Sequence, residues 1–517
     1  VTEPVTSSVD RPAKPGALNA QLLLLTTLLI AICGLVYELL AGTLASYLLG
    51  DSILQFSTVI GVYLSAMGLG SYLSGKLDTQ IARRFVEVEL AVAVVGGSAA
   101  PMLFFAFAHL SFFRFVLYGF VAGVGTLVGL EIPLLLRVLK DEFPFKDLIA
   151  RVLTVDYIGA LVASLLFPML LVPRLGIVRT GLVFGVLNAL VGLWSTYLLR
   201  AAIPRRRDLQ IKAFVVIAIL GTGVVFANTL TSLAEEGMYA DEIIFAKSSL
   251  YQRIVVTRGR ASFQLFLNGN LQFSSADEAR YHEALIHPAM SLAPHAKRVL
   301  VLGGGDGLAV RELLKYPEIE EIQLVDLDPA MTGIAKTFPL LRELNRDSFS
   351  SRKVHITNED AYLWVNQPNH GKYDAVVVDF PDPNNFALGK LYTTHFYSML
   401  RRSLNVGAPL VVQSTSPLMA RNSYWCVAQT LEAAGLFVRG YHVAVPSFGE
   451  WGYMLARDSS FDVPEKTAPI ELRFLTDDAM KAMFIFPADM SRIPALPNRL
   501  DNQVLVQYYE DEWKRWN

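Results

Sequence analysis

Apolar residues gather into long blocks in the first 234 positions of this 517-residue chain and alternate with polar ones afterwards. Seven blocks stand out, near 20–44, 53–75, 86–109, 113–136, 153–173, 177–199 and 212–233. A membrane-crossing helix takes about 20 mainly apolar residues, so each block predicts one span. The first is too long, and too poorly followed by small residues, for a cleaved signal peptide. Gly61/Ser65 and Gly70/Ser74 put small residues four apart, a spacing that lets helix backbones approach in lipid. Residues 1–17, ahead of the spans, read as a polar, proline-containing tail.

From residue 245 the period changes. YQRIVVTRG and SFQLFLNGNLQFS read as strands, with Asn268-Gly269 as a two-residue hairpin turn. SADEARYHEALIHPAM reads as a helix. RVLVLGGGDGLAVRELLKY then gives a buried strand, a Gly-rich turn and a helix. EEIQLVDLDP, KVHITNEDAYLWV, YDAVVVDFPDP and APLVVQSTSP each begin as a strand. Strands alternating with helices predict a doubly wound parallel sheet, whose ligands bind beyond the carboxyl ends of the strands. The expected organisation is a tail (1–17), an all-α transmembrane bundle of about seven helices (18–234), a small β-hairpin subdomain (245–290), an α/β Rossmann-like domain (291–464) and a C-terminal tail (465–517).

Composition supports two environments. Hydrophobic residues make up 53% and charged residues 18%, where soluble proteins carry about 25% charge. That excludes a disordered or fibrous chain and a soluble enzyme along the whole length. The first 234 residues hold 17 basic and 13 acidic side chains; the rest hold 28 and 34. The net charge of −2 and the lack of a basic, aromatic-interleaved patch give no nucleic-acid signal. Two distant cysteines, Cys33 and Cys426, build neither a disulfide framework nor a metal site.

Loop charges are sided. Arg11 and Lys14, Lys76, Arg83 and Arg84, Arg137, Lys140, Lys146 and Arg151, and Arg200, Arg205, Arg206, Arg207 and Lys212 fall on one side. Only Arg114, Arg174 and Arg179 fall on the other. This excess predicts a cytoplasmic N-terminus in a multi-pass membrane protein. Seven spans then place the C-terminal domain outside the cytoplasm, and one span more or fewer reverses that. Glu38, Glu89, Glu131 and Asp156 lie within apolar stretches, where a charge is costly. Either they line a polar cavity for a cationic molecule, or they pair with Arg or with backbone freed near Pro133.

The Gly-rich turn carries chemistry. Gly303, Gly305 and Gly307 follow a strand and open a helix, and Asp326 ends the next strand 23 residues after Gly303. That arrangement sets an adenosine ribose on an acidic side chain. Asp306, inside the turn, disfavours a pyrophosphate and would repel the carboxylate of S-adenosylmethionine. Decarboxylated S-adenosylmethionine, which ends in an ammonium, suits it. The competing reading is that Asp306 caps the following helix.

Taken in order, Tyr251-Gln252, LNGNLQ (267–272), DEARYHEALIH (277–287), VLGGGDGLAVRELLK (301–315), VDLD (325–328), NEDA (358–361), DFPDP (379–383) and VPSFGEWGYMLA (445–456) resemble the catalytic domain of the spermidine synthases, the polyamine aminopropyltransferases. The whole chain resembles their bacterial membrane-bound members. The resemblance implies transfer of an aminopropyl group from decarboxylated S-adenosylmethionine to putrescine, with no metal and no bound cofactor beyond that co-substrate. It further implies small polyamine substrates, a lipid bilayer and a homo-oligomer, a dimer, as partners. At matching positions it implies Gln252 and Gln272 lining the donor site beside Gly303 and Gly305, and Asp306 on the aminopropyl ammonium. Asp326 would hold the ribose hydroxyls and Asp360 the adenine amino group. Asp382 would be the acid/base, with Tyr281 helping to orient the attacking amine, Asp379 an amine ligand, and His282 a close neighbour.

The chain departs from soluble relatives chiefly on the acceptor side. DPNNFALGKLY follows where Gly-Pro-Ala is common after DP, Ala444–Phe448 lacks a family acceptor-site tyrosine, and LNG replaces Leu-Asp-Gly. Glu450 and Trp451 offer an anion and an aromatic face for an amine, or they pack. The same donor with another acceptor (a longer polyamine, a lipid or a peptide amine) is therefore an alternative. So is a polyamine transporter or sensor with a regulatory domain. Asp306 and the DxxDP pair argue against a methyltransferase. The aromatic, amphipathic tail either docks on the catalytic domain or lies on the membrane.

Overall fold

The apolar blocks fold as helices in a computed structural model that describes residues 17–49, 53–110, 112–140, 145–368 and 370–516. Residues 1–16, including Arg11 and Lys14 of the charge count, lie outside the described residues. The chain divides into two units at Asp241/Glu242. The first holds α1 (Ala17–Leu49), α2 (Ile53–Ser74), α3 (Ile81–His109), α4 (Phe113–Leu139), α5 (Phe145–Leu166), α6 (Val172–Leu198), α7 (Arg207–Val225) and α8 (Ala227–Glu236).

Among the described residues, six continuous helical runs are long and apolar enough to cross a membrane, and the fifth spans Lys146–Leu198, 53 residues. At 1.5 Å per residue this run would be about 80 Å long, more than twice the hydrocarbon core. It is not straight. A wider π-turn, Phe167–Leu171, contains Pro168 and is followed by Pro173, and Gly176 leaves the helical region altogether (φ 76°, ψ 170°). The two expected spans 153–173 and 177–199 are therefore two arms of one broken run. The chain is a multi-pass membrane protein.

Small residues set the closest helix contact. A Cβ on Gly70 would lie 2.0 Å from the Thr126 carbonyl, and one on Gly129 would lie 2.2 Å from that of Met67, so α2 and α4 touch backbone to backbone. Gly61, by contrast, faces open space and Ser65 is exposed. Only the second expected pair packs within this unit. Glu89 and Glu131 are fully buried, while Glu38 and Asp156 are partly exposed. Among the described residues, none of the four sits in an ion pair with Lys or Arg. Asn188 Nδ2 donates to Glu89 Oε2 at 2.9 Å, whereas Glu89 Oε1 and Glu131 Oε1 have no partner.

The second unit opens with an antiparallel meander: β1 (Glu242–Ser248), β2 (Arg253–Arg258), β3 (Phe263–Leu267) and β4 (Asn270–Ser274). The β3–β4 turn has both central residues at positive φ, Asn268 at 51° and Gly269 at 81°, matching the right-handed strand twist. Helix Glu278–Leu292 leads into a seven-stranded sheet. Its strands are β5 (Arg298–Gly303), β6 (Glu321–Asp326), β7 (Val354–Asn358), β8 (Ala375–Asp379), β9 (Leu410–Gln413), β10 (Phe437–Val445) and β11 (Gly449–Arg457), in the order β10-β11-β9-β8-β5-β6-β7. Five of them, β9-β8-β5-β6-β7, are parallel, built from fully buried runs such as Val299–Leu302. The sheet is not parallel throughout, because β10 and β11 pair antiparallel. Only residues 446–448 join them, far too few for a parallel crossover. The chain runs outward from β5 to β7 and then returns to β8 on the far side of β5. That reversal opens a crevice at the carboxyl ends of β5 and β8.

Candidate active site

Gly303 and Asp379 are partners in the β5/β8 register, so the Gly-rich turn and the DFPDP segment leave the sheet side by side. A Cβ on Gly303 would sit 2.1 Å from the Asp379 carbonyl, and one on Gly305 would sit 2.5 Å from Asp326 Oδ2. Glycine at both positions lets the turn lie flat against two acidic strand ends. Around it stand four buried or half-buried carboxylates: Asp306 in the turn, Asp326 ending β6, Asp379 ending β8, and Asp382 three residues on. Among the described residues, no Lys or Arg forms an ion pair with any of them.

Burial pushes the Asp326 carboxyl up to about 7, against the backbone N–H groups of Asp328 and Gly305 that favour its charge. Burial also lifts Asp379 to about 6, with Asp306 adding repulsion and His282 and the Tyr281 hydroxyl pulling down. That hydroxyl donates to Asp379 Oδ1 at 2.6 Å. Asp306 is raised by burial too, although nearby His282 and the Leu308 N–H oppose the rise. The Leu308 N–H donates to Asp306 Oδ1 at 2.9 Å, a tight turn just ahead of the short helix Leu308–Leu313, whose N-cap is Gly307 and not Asp306. His282 is the imidazole near this group. Burial works against its charge, but Glu278, Asp306 and Asp379 hold its pKa above the ordinary value. Its Nδ1 lies 2.9 Å from the Glu278 carbonyl. Burial would raise Glu278, yet hydrogen bonds from His282 and Arg311 bring it to about 2.

Gln252 Nε2 donates to Asp328 Oδ2 at 3.0 Å, which puts Gln252 beside the Asp326 strand end. Gln272, half-exposed on β4, donates to the Asn270 carbonyl at 3.1 Å. Asp360 caps the helix Ala361–Val365 through Tyr362 N–H at 2.8 Å and accepts from Lys390 Nζ at 2.6 Å. Glu450 and Trp451 are consecutive strand residues and face opposite sides. Glu450 bonds His442, while Trp451 stacks near Phe448, whose ring is 6.0 Å from Tyr281.

Asp382 has the fullest support, none of it expected from the sequence. Gln413 Nε2 donates to Oδ1 at 2.7 Å and Thr415 Oγ1 to Oδ2 at 3.1 Å. Tyr509 on the C-terminal helix Val504–Trp513 lies near it. Burial raises the Asp382 carboxyl, and Gln413, Tyr509 and Thr415 oppose the rise. Thr415 stands at φ 57°, a left-handed conformation that is strained for a β-branched residue. The APLVVQSTSP pattern marks a strand end, and a polar Gln and Thr there were the available signal. Tyr509 lies 127 positions away in sequence, and no local pattern links the two. The C-terminal segment, left open between two sites by its pattern, docks on this unit, with Leu505 fully buried.

Residues 278–466 match the family described as "Spermine/spermidine synthase domain". A "Polyamine aminopropyltransferase" of Leptospira interrogans is 49% identical, over 95% of this chain and 99% of its own. A "Polyamine aminopropyltransferase 1" of Ralstonia nicotianae is 48% identical, over 99% and 98%. A solved spermidine synthase in complex with the transition-state analogue AdoDATO is 24% identical, over 47% of this chain and 85% of its own, with a TM-score of 0.44.

Proposed function

The chain belongs to the polyamine aminopropyltransferase family and is an aminopropyltransferase, and from that premise we propose that it transfers the aminopropyl group of decarboxylated S-adenosylmethionine to putrescine, giving spermidine and methylthioadenosine. The observation that carries this reading is the set of four carboxylates at the switch point with no Lys or Arg ion pair among the described residues. Such a site suits cations, and both the sulfonium donor and the diamine acceptor are cationic.

In this reading Gly303 and Gly305 let the donor lie close to the strand ends. Asp326 takes the ribose hydroxyls, Asp360 the adenine amino group and Asp306 the aminopropyl ammonium. Gln252 and Gln272 line the donor side, and His282 tempers the negative field. Asp379, oriented by Tyr281, binds an amine between donor and acceptor. Glu450 and Trp451 belong to the acceptor side.

The sulfonium makes its propyl carbon electrophilic, so the acceptor limits the reaction. An amine of pKa near 10.4 costs about 4–5 kcal/mol to hold neutral at pH 7. Asp382 accepts the proton as the amine nitrogen attacks that carbon in line. The C–S bond breaks, its electron pair stays on sulfur, and neutral methylthioadenosine leaves. A positioned base contributes about 10²–10⁴-fold. The positive-inside count sets this unit outside the cytoplasm, and self-association as a dimer belongs to the same reading.

Incubating the purified full chain with the donor and putrescine tests the assignment. Stoichiometric spermidine and methylthioadenosine are expected. Methylthioadenosine released only with another amine would remove putrescine and keep the donor.

A further inference from the structure

The turn between β1 and β2 lies ahead of the residues that match the synthase domain, 278–466, yet it is fastened to the strand end that carries Asp326. Ser249 ties the turn to itself. Its N–H donates to the Gln252 carbonyl at 2.9 Å, and its Oγ accepts from the N–H groups of Tyr251 and Gln252, both at 3.0 Å. The Ser249 hydroxyl then donates to Asp328 Oδ2 at 2.7 Å, and Gln252 Nε2 donates to the same oxygen at 3.0 Å. Asp328 is 2% exposed. Its other oxygen accepts from the Ala330 N–H at 2.9 Å and caps helix Pro329–Thr337. Its own N–H donates to Asp326 Oδ1 at 2.9 Å. The cap uses one carboxylate oxygen, and the second is spent on the turn.

We propose that Asp328 is a positioning residue for donor binding: its carboxylate turns the Gln252 amide so that the amide oxygen is left for the ligand, and its N–H holds the Asp326 carboxylate. The proposal rests on the reading of Gln252 and Asp326 as donor ligands. A carboxylate only accepts, so the nitrogen of the Gln252 amide turns to Asp328 and the oxygen turns away. Among the described residues nothing bonds that oxygen. Gln252 therefore meets the ligand as an acceptor. Ionised Asp326 is an acceptor too, and both hang on one buried side chain, so a ligand meets them as a pair. Two hydroxyls on neighbouring carbons, as on a ribose, supply the two matching donors. A group that only accepts, such as a phosphate ester, is refused at both. Asp328 thus fixes two ligand-binding side chains, from β2 and β6, at one buried point.

Asp328→Asn keeps an oxygen for the Ala330 N–H, since Asn caps helices as well as Asp does, but it turns an amide NH2 toward Gln252. The Gln252 amide then flips and offers N–H groups to the ligand. Affinity for decarboxylated S-adenosylmethionine by calorimetry, donor KM, kcat with the amine that turns over fastest, and melting temperature are measured on the full chain in detergent. Donor Kd and KM should rise about tenfold, the cost of one lost hydrogen bond, while saturated kcat and melting temperature hold. Gln252→Glu alone sets two carboxylates face to face and should weaken the donor at least as much. It leaves the cap intact and tests the same contact if Asp328→Asn does not fold. Joining the two changes restores the polarity, because the new carboxylate accepts from the new amide, and donor KM should return to within about threefold of wild type. An unchanged donor KM in either single variant overturns the proposal. So does a double variant no better than the weaker single, since the loss then comes from the cap or the fold. Gln252→Ala tells the inference from the reading beneath it. If donor affinity stays at the wild-type value, Gln252 is no donor ligand, and that reading falls together with the inference. If Gln252→Ala weakens the donor while Asp328→Asn does not, only the inference falls.

Discussion

Both units bury carboxylates, and they treat them in opposite ways. In the membrane unit Glu131 has an oxygen with no partner, and Glu89 has one donor, Asn188, and one bare oxygen. In the catalytic unit Asp382 has two donors, Gln413 and Thr415, Asp379 has Tyr281, and Asp326 and Asp306 each take backbone N–H groups. An ionised carboxylate near the bilayer centre costs about 2.5–3.5 kcal/mol, and among the described residues Glu131 Oε1 has no donor to offset it. The catalytic carboxylates are paired with dipoles and short of cations. That combination keeps them in place and leaves their charge for a cationic ligand. Acid content alone does not make a site; what matters is donors that hold the anion without neutralising it.

The largest effect that tests this contrast is at Asp382. Asp382→Asn keeps the volume and removes the base, so turnover should fall about 10²–10⁴-fold while donor affinity holds. Methylthioadenosine release and donor titration on the same sample check both. Near-normal turnover would reduce Asp382 to the same standing as the membrane acids.

A smaller effect is expected from pH. Asp326 near 7 and Asp379 near 6 lie above the usual carboxylate value. The folded protein therefore holds protons that the unfolded chain has released from about pH 4 upward. The stability these groups contribute is complete below pH 4 and is lost as pH rises through 6 to 7. A cationic donor binds the ionised forms and reverses the cost. Its affinity should rise roughly tenfold or more between pH 5.5 and 8, and binding at pH 6 should release protons. Calorimetry in buffers of different ionisation enthalpy measures both. A flat affinity would mean that these carboxylates are not what the donor meets.

The two units also differ in how far their sequence discloses them. The β5 turn, the acidic strand ends and the Asn268-Gly269 hairpin are local patterns, each with its chemistry within a few residues. The helical blocks are equally plain, since apolar runs of that length have few other folds. What stayed hidden is non-local. The antiparallel β10–β11 pair was not among the expected strands, and the sheet was expected to be parallel, because a strand's period carries no direction. Gly176 ends a helix through a dihedral choice that composition does not reveal. Gln413, Thr415 and Tyr509 converge on Asp382 only after β9 and the last helix have packed. Gly61/Ser65 shows the converse: its spacing is the same as that of Gly70/Ser74, but no helix of this unit lies over it.

The smallest effect is the most direct test of the membrane side. Glu131→Gln keeps the side-chain shape and removes a carboxyl whose Oε1 accepts nothing. Transferase turnover should stay within about twofold, and the melting temperature in detergent should hold or rise, because a neutral amide is cheaper to bury than an unpaired anion. Asn188→Leu is the calibrating arm. It strips Glu89 of its donor and should cost about 1–3 kcal/mol, the penalty of leaving a buried polar group unsatisfied. If Glu131→Gln instead loses as much stability as Asn188→Leu, Glu131 is ionised and held by a cation in the native protein. The membrane acids would then follow the same rule as the catalytic ones.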